Sequence, residues 1–145
     1  MPTNDFYIAG RWRNRDNIKA VLDAVRASGR SAYCFIENTY ENEELPFTGT
    51  TPEDIEASMQ ATEVASQDHP SIRKIFADDL AAERDAKNFL LVLPAGLAAH
   101  IEAGIAYGMG KKCYAVGQPE KTETLYCIFD KMFPDLAALE AWLRG

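Results

Sequence analysis

Two short segments of this 145-residue chain carry side chains from which a reactive site could be assembled. The first is Gly10-Arg11-Trp12-Arg13-Asn14. Its glycine lets the backbone approach a ligand, and Arg11 and Arg13 can hold an anion at the start of a helix. A blander reading stands beside this one, in which the arginines are solvated and Trp12 packs on the surface. The second segment is Pro94-Ala95-Gly96-Leu97-Ala98, and it leads into a helix with one anomaly. Glu102 lies three or four residues from Ala98, Ala99, Ile105 and Ala106, so helical spacing puts its carboxyl on the apolar side. It also lies within the first two turns, where the helix dipole favours negative charge. An unpaired buried carboxylate is costly, so such a group is paired, hydrogen-bonded or functional. Either Glu102 is salt-bridged to an arginine of the first segment, or it is a working carboxylate. Tyr7, across adjacent strands, could donate a hydrogen bond to it.

Other candidates are weaker. Asp78, Asp79 and Asp85 sit on the long helix before the third strand, where acids usually form a solvated face. Gly104, Gly108 and Gly110 read as helix packing and a C-cap. No GxGxxG follows the first strand, and neither a P-loop nor a GxSxG elbow is present. Neither His69 nor His100 has a metal ligand at the usual spacing, so no metal site and no cofactor are expected. The three cysteines, Cys34, Cys113 and Cys127, are far apart and lack a CxxC, and they read as small apolar residues of a reduced protein.

The elements that must position these residues follow from periodicity. Phe6–Gly10 reads as a buried strand, and the helix after it, about Asn14 to Ser28, has Ile18, Val21, Leu22 and Val25 on one face and Gly29 as its stop. Ala32–Ile36 is a second strand. The polar segment Glu37–Thr50 is expected to be a long loop that covers the pocket. Thr51-Pro52-Glu53-Asp54 starts a helix to about Ser66, and His69-Pro70 starts another to about Lys87. Phe89–Leu93 is the most hydrophobic run and fits a central parallel strand covered on both faces. A helix at about Ala98–Met109 and a strand at Cys113–Val116 follow. Thr124–Phe133 fits either strand or helix, and Pro134-Asp135 opens a last helix ending near Arg144. Alternating strands and helices imply one α/β domain over residues 1–145, a three-layer sandwich with a parallel, flavodoxin-like sheet of 4–5 strands. With strand order 2-1-3-4, the winding reverses between strands 1 and 3, and a ligand would sit beyond their carboxyl ends, at the two segments above.

Composition agrees with such a domain. The 47% hydrophobic and 26% charged residues are ordinary globular values, and at this length roughly 68–70% of the chain's surface can be buried. The 22 acidic against 15 basic residues, net −7, argue against a nucleic-acid polymer as partner, although a small phosphorylated ligand needs only a local cluster of donors. No apolar run approaches the ~20 residues of a membrane span, and no secretory signal is visible, so a cytoplasmic protein without membrane contact is expected.

At these residues the chain resembles the nucleoside 2-deoxyribosyltransferase superfamily, which includes deoxynucleoside monophosphate N-glycosidases. The matching pieces are Tyr7–Asn14 and the block His69–Gly117. The specific part is Val92-Leu93-Pro94-Ala95-Gly96-Leu97-Ala98-Ala99-His100-Ile101-Glu102-Ala103-Gly104 followed by Gly110-Lys111-Lys112. The resemblance implies a flavodoxin-like sandwich that forms a homodimer or larger homo-oligomer with shared active sites. It implies that Glu102 attacks the anomeric carbon of a nucleoside or nucleotide, displaces the base and forms a glycosyl-enzyme that water or another base resolves. A carboxylate suits that oxocarbenium-like transition state, because it supplies opposing charge and then a bond. Tyr7 matches the hydroxyl beside the nucleophile, and Gly10, Arg11, Trp12, Arg13 and Asn14 match the stretch that holds the sugar or its 5′-phosphate. Pro94, Gly96, Ala98 and His100 line the second loop, with small residues where some relatives have a phosphate-binding serine. The family's aspartate before the third strand, which helps the base leave, falls on Lys87 or Asn88, and Asp85 is the nearest substitute. The same pocket without turnover would make a nucleotide-binding module, which is the alternative reading.

Overall fold

The computed structural model describes residues 3–38, 68 and 70–145. Of the expected long loop only Glu37 and Asn38 lie within them. The expected helix at 51–66 and His69 fall outside.

Five strands form one parallel sheet: β1 (Asn4–Ala9), β2 (Ala32–Cys34), β3 (Ala86–Val92), β4 (Lys112–Val116) and β5 (Lys131–Phe133), in the order β2-β1-β3-β4-β5. The helices are α1 (Arg15–Ala27), α2 (Pro70–Arg84), α3 (Leu97–Gly108) and α4 (Leu136–Leu143). Strand alternation divides the apolar side chains between the sheet's two faces. Phe6, Ile8, Leu90 and Val92 pack with Ile18, Leu22 and Val25 of α1 and Leu139 of α4, all of them buried. Tyr7, Ala9, Phe89 and Leu91 turn the other way and pack with Ala99, Ala103 and Ala106 of α3. The doubly covered α/β sandwich and its winding reversal between β1 and β3 are as the sequence implies. Among the described residues no helix is long and apolar enough to cross a membrane.

Differences from the expected elements have local causes. β3 begins three residues before its apolar run, because Asn4 and Phe6 of β1 pair with Ala86 and Asn88. β2 is cut to three residues and Phe35–Glu37 turns as a 3-10 helix. The ambiguous Thr124–Phe133 is both things in succession, a 3-10 turn at Thr124–Ile128 and then β5. Gly104 and Gly108 do not pack against the rest of the chain, since a Cβ at either would meet open space. Cys34 and Cys113 are buried as expected, whereas Cys127 is exposed.

The carboxyl ends of the central strands are tied by backbone bonds. Leu93 N donates to Val116 O at 2.8 Å, and Gly117 N donates to Phe133 O at 2.9 Å. Gly117 has φ +106°, and a Cβ there would sit 2.5 Å from the Leu93 carbonyl oxygen. Gly29, with φ +87°, meets nothing. Backbone strain acts at both positions, but the steric clash acts only at Gly117. Gly117→Ala is therefore expected to lose ~2 kcal/mol or more, and Gly29→Ala only ~1 kcal/mol. Urea unfolding of the two variants measures this, and equal losses would contradict the tight closure at the strand ends.

Candidate active site

Glu102 is met by Tyr7. The tyrosine hydroxyl donates to Glu102 Oε2 across the face of the sheet, so of the two outcomes left open for this carboxyl the arginine salt bridge is not the one formed. Two features of the sequence make the contact possible. The small side chains of Ala99, Ala103 and Ala106, none more than 2% exposed, let α3 settle close to the sheet. Tyr7 is clamped by its cross-strand neighbours, stacked on Tyr33 of β2 at 5.3 Å and on Phe89 of β3 at 5.9 Å, both at 16° between planes. These three rings are paired in register, Tyr7 with Tyr33 and Tyr7 with Phe89. An aromatic ladder over three strands thus fixes the direction of the hydroxyl.

The electrostatics are those of a site short of positive charge. Burial pushes the Glu102 carboxyl up to about 7, the Tyr7 hydroxyl pulls it down, and the charge of Asp79 pushes it up again. Burial first, and then the charge of Glu102, drive the Tyr7 hydroxyl far above its ordinary value, so Tyr7 is a permanent donor. Asp79, on α2, is half-buried and raised to about 6, chiefly by burial. It accepts from the Tyr33 hydroxyl at 3.4 Å, which in turn accepts from Asn38 Nδ2 at 2.8 Å. Glu83, one turn further along α2, is 1% exposed. Asp79 and Glu83 are thus not part of a solvated face. Nothing in the sequence separates them from solvated acids of the same helix such as Asp78, which is exposed.

Asp85 is placed elsewhere. It is an exposed turn residue between α2 and β3, and its carbonyl accepts from Thr3 N at 2.7 Å and Asn4 N at 3.2 Å, at the amino end of the sheet. Lys87 is exposed, and Asn88 Nδ2 donates to the Asp5 carbonyl at 2.9 Å. The carboxyls that accompany Glu102 therefore come from within α2, Asp79 and Glu83, and not from the turn that follows it.

The two loops meet as the winding rule requires. Asn14 Nδ2 donates to Leu93 O at 3.3 Å and Pro94 O at 3.5 Å, bridging the ends of β1 and β3. Gly10 permits this approach, because a Cβ there would lie 2.6 Å from Ile18 Cδ1. Trp12 packs edge-on against Phe35 at 5.2 Å, while Arg11 is half-buried and Arg13 exposed at the same rim. Pro94 follows a cis peptide bond, and Gly96 caps α3 with no side-chain bond, leaving exposed Ala98 in its first turn. His100 is held by both ring nitrogens. Nδ1 lies 2.7 Å from Gly96 O and Nε2 lies 2.9 Å from the Tyr126 hydroxyl, with the rings stacked at 5.7 Å. A carbonyl only accepts, so Nδ1 donates to Gly96. His100 thereby fastens the Thr124–Ile128 turn to the start of α3. A second cleft of about 280 Å³ opens on the other face of the sheet, between α1 and α4. Its one carboxylate, Asp135, is used in capping Ala138 N at 2.9 Å.

No protein-family profile matches the chain, and no curated protein is significantly similar to it. Among solved structures it is similar to the 2-deoxyribosyltransferase of Bacillus psychrosaccharolyticus, with a TM-score of 0.66 and 17% sequence identity, over 95% of this chain and 94% of that one.

Burial of the acids has a measurable consequence. Asp79 and Glu102 keep their protons in the fold at pH values where the unfolded chain has lost them, so the stability they confer is full only below about pH 4. It is lost as pH rises through about 6 and 7. Urea unfolding at pH 5.5 and pH 8 is expected to show the protein weaker at pH 8, by roughly 2–3 kcal/mol from these two groups and more where other buried acids add to them. A flat profile would mean that the two carboxyls ionise as freely in the fold as in water.

Proposed function

We infer that the chain, which has the fold of a 2-deoxyribosyltransferase, acts on a nucleoside. We propose that it breaks the N-glycosidic bond of a nucleoside or nucleoside 5′-monophosphate, with Glu102 as nucleophile and with water or a second base as acceptor. The observation that carries this reading is the buried Glu102 carboxyl held by the Tyr7 hydroxyl on a clamped aromatic ladder. A structural ion pair would want a cation there, and the partner is instead a neutral donor that orients one oxygen and leaves the other for attack.

In the first step a Glu102 oxygen bonds to the anomeric carbon as the glycosidic bond breaks, and that bond's electron pair leaves on the base nitrogen. The departing base takes its proton from water, because Asp79, raised only to about 6, is ionised wherever Glu102 is. The Tyr7 hydrogen bond steadies the carboxylate before attack and the ester carbonyl after it. In the second step water or an incoming base attacks the anomeric carbon, the bond to Glu102 breaks with its electron pair returning to the carboxylate, and the proton lost by the attacking group passes to solvent. Gly10, Arg11, Trp12, Arg13, Asn14, Pro94, Gly96 and Ala98 form the rim that receives the sugar and any 5′-phosphate, and His100 holds that rim in place. No residue of this set requires a metal or an organic cofactor.

The reading includes assembly with further copies of the chain. Leu97 is 80% exposed and Ile101 55%, and they lie with open Gly104 and Gly108 along the outer face of α3, near enough to the site for a neighbour to complete it. Light scattering is expected to give a dimer or larger species, which Ile101→Asp dissociates. A monomeric wild type would remove this part of the proposal.

The central test is base release from ribo- and deoxynucleosides and their 5′-monophosphates, followed by chromatography. Glu102→Gln is expected to reduce release by ~10³-fold or more, and Tyr7→Phe by ~10-fold to 10²-fold. The rate should rise with pH as Glu102 ionises, with a midpoint near 7. Asp79→Asn removes a negative neighbour, so the rate it retains should rise at lower pH. Folded protein that binds nucleotides and releases no base from any of them would establish the binding module instead.

A further inference from the structure

Glu83 is the one buried charged side chain among the described residues, and the mechanism above does not use it. It is 1% exposed, and its Oε1 has no hydrogen-bond partner. A carboxylate in that state is among the costliest groups a fold can contain, unless it carries a proton. Among the described residues three charged groups act on it. Asp79 lies one turn back on α2 and Glu102 faces it from α3, and both disfavour its ionisation. Lys111, after α3, favours ionisation, but its ammonium is committed to the Arg84 carbonyl at 3.0 Å and the Ala86 carbonyl at 2.6 Å. Tyr7 of β1 and Cys113 of β4 feel its charge and remain neutral.

The two glutamates differ in their donors. Glu102 has a donor, the Tyr7 hydroxyl, and Glu83 has none. Hydrogen bonding favours an ionised carboxylate, and like charges on neighbouring buried carboxyls cannot both form cheaply. The pair should therefore lose its first proton from Glu102 and keep the second on Glu83. We propose that Glu83 is a positioning residue, a proton-bearing acid one turn from Asp79 and within electrostatic reach of Glu102 that leaves Glu102 as the ionised carboxylate on Tyr7, and whose loss of that proton at alkaline pH loosens α2 from the sheet and closes the working range of the site. Burial and its neighbours hold Glu83 near 8 and Glu102 near 7, in the same order. The proposal rests on Glu102 being the nucleophile for its functional part, and on the acid pair alone for its physical part.

The test is a carboxyl titration of the full-length free protein, by NMR of glutamate labelled at the side-chain carboxyl carbon, in the wild type, Glu83→Gln, Glu102→Gln and Lys111→Met. Glutamine has the shape of the protonated acid, so Glu83→Gln should fold. Two titrations well above the ordinary glutamate range are expected in the wild type. The higher should vanish in Glu83→Gln with the lower nearly unmoved, and Lys111→Met should move the higher one up. Urea midpoints should fall between pH 7 and pH 9 in the wild type and hold in Glu83→Gln, and the alkaline limb of base release should extend upward in that variant. A Glu83 signal that titrates near the model-peptide value of about 4.3, or wild-type and Glu83→Gln profiles that superimpose, would overturn the proposal. Absence of base release would count against the glycosidase reading alone, because the titration and the unfolding are read without substrate.

Discussion

A carboxyl on the buried side of a helix must find its donor in another part of the chain, and here that requirement joins β1 to α3. The Tyr7–Glu102 hydrogen bond crosses from strand to helix, and much of the surrounding structure serves its geometry. α3 presents alanines to the sheet, so the helix lies close enough for a glutamate to reach the tyrosine. The rings of Tyr33 and Phe89 leave the Tyr7 ring one orientation. Asn14, reaching across to the Leu93 and Pro94 carbonyls, sets the distance between the loop after β1 and the loop that starts α3. Without the hydrogen bond, Glu102 would be one more buried acid and the alanine face would have no evident purpose.

Charge gives the arrangement its direction. Three carboxyls, Asp79, Glu83 and Glu102, converge on a region where the nearest ammonium, that of Lys111, is bound to backbone carbonyls. A fold selected for stability alone would place apolar side chains there, since burying acids weakens it as pH rises. What the cluster supplies is a graded set of proton affinities, Asp79 lowest, Glu102 next and Glu83 highest, each set by its burial and by its donors. The gradient lets one carboxylate be ionised and basic at neutral pH while its neighbour stays uncharged. The negative environment also suits a reacting carbon that gains positive character.

Much of this was legible in the sequence, for reasons particular residues make plain. Glu102 betrayed itself by its helical spacing from Ala98, Ala99, Ile105 and Ala106, of which Ala99 and Ala106 are buried and Ala98 is exposed, and Tyr7 by its place in a buried strand beside it. The sandwich followed from the unalternating Phe89–Leu93 run and the helical Ile18, Val21, Leu22 and Val25, all of them buried in the fold. Asp79 and Glu83 were not legible, because an acid on an amphipathic helix looks the same whether it faces water or a second helix. Only the docking of α2 against β3 decides which. Asp85 was favoured by its nearness in sequence to the third strand, but β3 begins at Ala86, which leaves Asp85 at the opposite end of the sheet from the loops. His100 drew notice as a loop histidine, and its partner Tyr126 lies 26 residues away in a segment whose form periodicity could not decide.

The account stands or falls on whether Glu102 bonds to the sugar. The most direct measurement is intact-protein mass spectrometry after rapid acid quench of the protein with a substrate whose base it releases, followed by peptide mapping. The account predicts a mass increase equal to the glycosyl group, carried by the peptide that contains Glu102 and absent from Glu102→Gln. Base release that proceeds undiminished in Glu102→Gln, or an adduct mapped to any other residue, would contradict it.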